Sequence, residues 1–268
     1  MKILKVFISV LKVFLSDKQM KTPPAKAALN LLLAGAAVIA LLWFSLLKIN
    51  IRLDFSFFAG YRVRVWDGFA MTLGLSVAGL GLSLLLGILS AAGHSSKFLP
   101  LRYLCSIYVR FIRGTPLITQ IYLFFYIVGT AWGVDSRFAA GVVILSVFEG
   151  AYISEIIRGS LISMDASQLE AARAVGFTRT QTLANVTLPQ LVARTLPALT
   201  GQFASIIKDS SLLSIIAVTE LTQSMKEISA TNFRLFECYL FLGLLYLCLT
   251  LPVTFVTKQL ERRFHYEN

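Results

Sequence analysis

The sequence predicts an all-α, polytopic membrane helical bundle, and three observations carry that prediction. Hydrophobic residues make up 56% of the 268 positions and the mean hydropathy is +0.73, too apolar for a domain with a watery surface. Apolar stretches close to bilayer length recur along the whole chain, which points to one membrane domain. Basic residues gather in alternate connections between those stretches. The formal charge of +11 would suggest nucleic acid in a soluble protein; here topology accounts for it, and no nucleic-acid partner is needed.

The first segment, 1–26, is basic. Lys2, Lys5, Ser9, Lys12 and Ser16 recur at steps of three and four, so a helix here carries one polar stripe on an apolar surface. That pattern suits an amphipathic helix lying in the membrane interface, a frayed basic tail being the alternative. Lysines interrupt the apolar run and no small-residue cleavage site follows, unlike a signal peptide. Thr22-Pro23-Pro24 ends whatever helix precedes it.

Six apolar stretches read as spanning helices: 27–47, 67–93, 115–129, 138–157, 196–218 and 238–257. The third is short unless it extends back through 104–113, placing Arg110 and Arg113 near the headgroups. Residues 27–66 are an additional first helix with its external loop, 67–263 a five-helix core, and 264–268 a tail. With the N-terminus inside, cytoplasmic Lys and Arg outnumber external ones more than two to one, and both termini are cytoplasmic.

The longest internal connection, 159–195, holds two helix-start signals. Ser167-Gln168-Leu169-Glu170 and Thr178-Arg179-Thr180-Gln181 each have capping-box spacing. Gly176 between them suits a left-handed helix end, and the second helix is expected to stop near Leu188-Pro189. The result is a compact cytoplasmic elbow. Ala171, Ala172 and Ala174 leave room for a partner's close approach, while Phe177 and Leu183 offer apolar anchors. From local pattern alone, a docking surface and a loop packed on its own helices fit equally well.

Three ionisable residues fall inside predicted spans, where charge is costly and marks a pathway or a buried pair. Glu149, beside Gly150, lies near the middle of the fourth span. It reads as a carboxylate facing a translocation path, as a structural partner of Lys208, or as a protonated acid bonded to a hydroxyl. Lys208 and Asp209 fall in the fifth span and diverge by about 100 degrees on a helix, so they cannot neutralise each other along one face. Glu155 and Arg158 have ion-pair spacing. In Arg113-Gly114-Thr115-Pro116, Thr115 can cap a helix with Pro116 at its first position, and Gly114 permits a tight entry. Cys105, Cys238 and Cys248 lack metal or disulfide spacing, as do His94 and His265 for a metal.

Glu170-Ala171-Ala172, then Gly176, then Leu188-Pro189 resemble the EAA loop of binding-protein-dependent ABC importer permeases. Arg113-Gly114-Thr115-Pro116-Leu117, the stretch from Gly150-Ala151-Tyr152 to Arg158-Gly159, and Lys208-Asp209-Ser210-Ser211-Leu212 resemble the polar amino acid branch of that family, in the right order. The resemblance implies a type I importer permease in a bacterial cytoplasmic membrane. It also implies docking of Glu170, Ala171, Ala172, Ala174, Gly176 and Phe177 on a separate ATPase, a second permease subunit, and an extracytoplasmic solute-binding protein that delivers a polar amino acid. The chain has no GxxxxGK[ST] phosphate loop, so ATP and Mg are expected in the partner ATPase and no cofactor in this chain. Permeases of this branch commonly have five spans with the N-terminus outside, so 1–66 looks additional. An ion-gradient carrier using Glu149, Lys208 and Asp209 as relays is the alternative; a membrane protease lacks its HExxH, Ser/His or paired-Asp constellation.

Overall fold

Residues 24–49 and 53–263 are described by the computed structural model, and every regular element among them is helical. Two units divide the chain at Phe57 and Phe58. The first holds α1, Pro24–Lys48, an apolar helix with nearly all described side chains exposed. The basic stripe expected at 2–16 lies outside the described residues.

The second unit begins at Phe58, inside a short 3-10 turn. That turn, Ser56–Tyr61, leads into α2, Arg62–His94. Then come α3, Leu99–Gly114, and α4, Leu117–Tyr122, which runs on as a π turn, Leu123–Gly129. Helix α5 is Arg137–Ile162 and α6 is Ala166–Ala174. Helix α7, Arg179–Thr182, passes through a π turn, Leu183–Thr187, into α8, Leu188–Asp209. A 3-10 turn, Ser210–Ile216, then α9, Leu221–Asn232, and α10, Leu235–Arg263, complete the chain.

Among the described residues, four helical stretches are long and apolar enough to cross a bilayer: Ala28–Lys48, Ser56–His94, Arg137–Ile162 and Leu235–Thr257. The expected short third span is instead a bent pair. Helices α3 and α4 meet at 114°, so 104–113 does not extend α4 in a straight line. Thr115 and Pro116 are both extended at the bend. Thr115 does not cap α4; its hydroxyl bonds back to the Phe111 carbonyl at 2.9 Å, and Pro116 precedes the first helical residue. A Cβ on Gly114 would meet open space, so no close approach explains that glycine.

The expected fifth span shifts as well. Helix α8 begins at Leu188 and ends at Asp209, where the chain tightens into a 3-10 turn, so Lys208 and Asp209 stand at a helix end rather than mid-span. Helix α9 was not foreseen. It is a polar, capped helix: the Glu220 carboxylate accepts the Thr222 and Gln223 amides at 2.7 and 2.8 Å.

The most extensive contact is α2 on α5. Between helices in lipid the hydrophobic effect contributes little, and close van der Waals packing decides association. Small residues make that packing here. Gly87 lies against Ile153, and Gly150 faces Leu86, with Tyr108 and the Ser83 carbonyl nearby. Serines bond across the seam: Ser146 donates to the Gly79 carbonyl at 3.1 Å, and Ser154 to Ser90 at 3.0 Å. Leu75, Leu145, Leu213 and Ile121 fill the core beside it, each fully buried.

A Gly87→Ala Cβ would sit 2.7 Å from Ile153 Cβ and 3.2 Å from the Gly150 carbonyl. Overpacking of this kind costs about 1–3 kcal/mol, so thermal unfolding of purified Gly87→Ala should begin well below wild type. Gly81→Ala meets open space on the same helix and should unfold with wild type.

Candidate functional site

The elbow forms with a different first cap. Asp165, not Ser167, opens α6, its carboxylate accepting the Ser167 amide at 3.0 Å. Aspartate two residues earlier outcompetes the serine because its charge also complements the positive end of the helix. That bond holds the Asp165 carboxyl below the usual carboxylate range. Gly176 then adopts φ +83, where a Cβ would be strained. The Phe177 amide reaches the Ala172 carbonyl and the Gly176 amide the Arg173 carbonyl, both at 3.0 Å, the paired bonds of a Schellman end. The second box is complete: the Gln181 amide bonds to Thr178 Oγ1 at 3.3 Å and the Thr178 amide to Gln181 Oε1 at 2.9 Å.

The second elbow helix does not stop at Leu188-Pro189. Pro189 lacks an amide hydrogen and its ring crowds the carbonyl four residues back. The wider π turn Leu183–Thr187 sits where that conflict would arise, and the helix continues into α8. Elbow and membrane helix are thus one nearly unbroken rod from Arg179 to Asp209.

Glu170, Ala171, Ala174, Gly176 and Phe177 are exposed on this elbow. Ala172 is not. It is 5% exposed, so its small side chain lets the elbow close on itself and is not available to a partner. Val175 at 72% and Leu183 at 56% exposure add apolar surface. Val175 escaped notice in the sequence because it lies between an alanine-rich helix and its glycine end.

A second cluster lies inside the bundle. Glu149 is 1% exposed, midway along α5. Its partner is Gln202 of α8, whose amide donates to Glu149 Oε2, and the Asp209 carboxyl is also close. Glu149 Oε1 is buried without a regular hydrogen bond. The structure therefore brings Glu149 together with Gln202 and Asp209, not with Lys208, which is exposed. Thr195, Gln202 and Asp209 recur every seven residues, and a seven-residue step returns to one helix face. That spacing was the signal for Gln202. A third grouping links the bend to α5. Glu155 accepts Arg158 Nε at 2.9 Å and lies 3.8 Å from Arg113, which stacks 5.4 Å above the Tyr152 ring.

Among the described residues no cluster of metal-ligating side chains occurs.

Residues 83–266 match the family model described as "Binding-protein-dependent transport system inner membrane component". The probable glutamine ABC transporter permease protein GlnM of Bacillus subtilis (strain 168) is 35% identical over 214 residues, 80% of this chain and 97% of the relative. The L-cystine transport system permease protein TcyB of the same organism is 36% identical over 197 residues, 73% of this chain and 84% of the relative. Among solved structures, an amino acid ABC transporter with histidines superposes with a TM-score of 0.74 at 32% identity, covering 80% of this chain and all of that one.

Thr178→Ala removes the side-chain half of the complete capping box and should cost about 1 kcal/mol locally. Hydrogen exchange at residues 179–182 should speed up by about fivefold, with α2 unaffected. The pH dependence follows from Asp165. Its depressed pKa means the cap is intact at neutral pH and lost as pH falls through the folded-state value. Exchange at Ser167, corrected for its intrinsic rate, should accelerate on acidification in wild type and lose that dependence in Asp165→Asn.

Proposed function

The chain belongs to the binding-protein-dependent transport system inner membrane family, and from that premise we propose that it is the permease subunit of an ATP-driven importer of polar amino acids. It is a multi-pass membrane protein and a non-enzymatic transport subunit. The observation that carries the coupling mechanism is the rod from Arg179 to Asp209, with an exposed elbow at one end and Gln202 against Glu149 further along.

In this reading a separate cytoplasmic ATPase grips the elbow through Glu170, Ala171, Ala174 and the apolar group Val175, Phe177 and Leu183. ATP and Mg are bound by that partner. A second permease subunit completes the path, and an extracytoplasmic binding protein presents the amino acid. The elbow faces the cytoplasm, a placement that the Lys and Arg bias supports, and both termini lie on the same side. Closure of the ATPase pair displaces the elbow, α8 moves with it, and the Gln202 bond to Glu149 is strained or released.

Glu149 and Asp209 provide carboxyl groups on the path, with Lys208 nearby on the same helix. A buried acidic pair with one unpaired oxygen favours a cargo that brings a cation beyond the α-amino group, so basic amino acids are the preferred substrates. An ion-gradient carrier would need no elbow.

The decisive experiment is uptake into proteoliposomes holding the complete importer with or without ATP. Uptake should require ATP and the ATPase subunit; uptake without either would overturn the proposal. Phe177→Glu combined with Leu183→Glu should uncouple uptake by about tenfold or more by placing charge in the apolar contact, with the purified subunit still folded. Glu149→Gln should weaken uptake of arginine by about tenfold or more while affecting glutamine much less. Equal losses for both would assign Glu149 to structure alone.

A further inference from the structure

Helix α3 has two unlike faces. Leu104, Ile107 and Phe111 stand 64%, 65% and 47% exposed on one of them. The other face carries Arg102, Arg110 and Arg113, at steps of eight and three that bring them to one side of the helix. They line a cavity of about 840 Å3, closed on its far side by His94 at the end of α2 and by Glu155 and Arg158 of α5. Arg158 lies eight residues before α6 begins at Ala166, so the cavity sits at the base of the elbow.

The charge in this cavity does not balance. Four guanidinium groups and one imidazole surround a single carboxylate, Glu155. That carboxylate is already engaged: Arg158 bonds to both of its oxygens and Arg113 lies 3.8 Å away. Arg102 and Arg110 have no side-chain hydrogen bond or ion pair among the described residues. His94 Nε2 is buried and also without a partner. Cations concentrated in a concave site bordered by apolar groups raise the local potential, and an anion lowers it.

We propose that this cavity binds a phosphate group, supplied by the headgroup of an anionic phospholipid. Guanidinium forks match phosphate oxygens with paired hydrogen bonds, and Arg102 and Arg110 have that capacity free. His94 Nε2 adds a donor when it carries the proton. The lipid source follows from the other face of α3. Exposed Leu104, Ile107 and Phe111 give acyl chains a surface to lie along while the headgroup turns into the cavity, the arrangement by which basic pockets between membrane helices hold anionic lipids. A phosphate there neutralises the α3 and α5 cations together and ties the α3 bend to the foot of the elbow. Neither the cargo nor the ATPase enters this proposal, so a failed uptake experiment leaves it intact.

The full-length chain, purified into nanodiscs of equal parts phosphatidylglycerol and phosphatidylcholine and then released for native mass spectrometry, should retain phosphatidylglycerol over phosphatidylcholine by about tenfold. Arg102→Gln with Arg110→Gln should abolish that preference. Arg102→Lys with Arg110→Lys should keep a part of it, and the control Arg173→Gln with Arg179→Gln, which removes the same charge from the elbow, should keep all of it. Should the glutamine pair fail to elute as a single species, Arg110→Gln alone gives the same comparison at an exposed position. Inorganic phosphate is titrated by calorimetry into phosphatidylcholine-only discs in parallel. Saturable phosphate binding that needs Arg102 and Arg110, with no lipid preference, would overturn the lipid source. Equal lipid retention in wild type, the glutamine pair and the control, with no phosphate binding, would overturn the site.

Discussion

The seam between α2 and α5 is the contact on which the rest of the bundle depends. Nothing drives two apolar helices together in lipid except what their surfaces gain by touching, and here glycines and serines let them touch along most of their length. Gly87 admits Ile153, Gly150 admits Leu86, and the Ser154 to Ser90 bond closes the seam. Tyr108 of α3 anchors on the Val147 carbonyl at 2.7 Å, so α3 takes its place from the same pair. So does Glu149. Its neighbour Gly150 is pressed against α2, and the helical turn between adjacent residues carries the carboxyl round to α8.

Polar groups elsewhere in the bundle follow one rule: each backbone or hydroxyl group within the bilayer needs a partner inside the protein. Thr72 Oγ1 accepts the Leu221 amide at 3.1 Å and fixes the start of α9 on α2. Gln120 donates to the Ile112 carbonyl at 2.8 Å and to Thr115 across the 114° bend. The bend is therefore held by a side chain from the helix that follows it. Proline sets the extended backbone, and glutamine satisfies the carbonyls that the broken helix leaves open.

Much of this was legible in the residues. Long apolar runs located α1, α2, α5 and α10, and Thr178-Arg179-Thr180-Gln181 with Gly176 gave the elbow its shape, because such signals are local. The misplacements have a common physical cause, which is competition between local preferences. Ser167 and Asp165 both suit a cap, and sequence cannot rank them without the helix geometry. Leu188-Pro189 reads as a stop only if the preceding turn is an ordinary α turn; a π turn removes the conflict. The first turns of α8, Leu188 to Thr195, are too polar to register as part of a span, so the expected helix starts and ends too late and Lys208 and Asp209 fall in its middle rather than at the helix end. Gln202 was available as part of a seven-residue repeat, but an amide draws less attention than a charge.

Continuity from elbow to membrane also sets a length scale. From Arg179 to Gln202 is 23 residues, about 35 Å at the rise of a helix, interrupted by the π turn Leu183–Thr187 near the elbow and by Pro197 closer to Gln202. Under the proposed coupling, a shaft with a compliant joint near the elbow would work as a crank: a small rotation at the elbow would become a sideways sweep deep in the bundle, its amplitude set by how much the shaft yields. In that proposal the π turn that accommodates Pro189 would also bear on the stroke, and tightening or loosening those five residues would change how far Gln202 travels without altering anything that Gln202 touches.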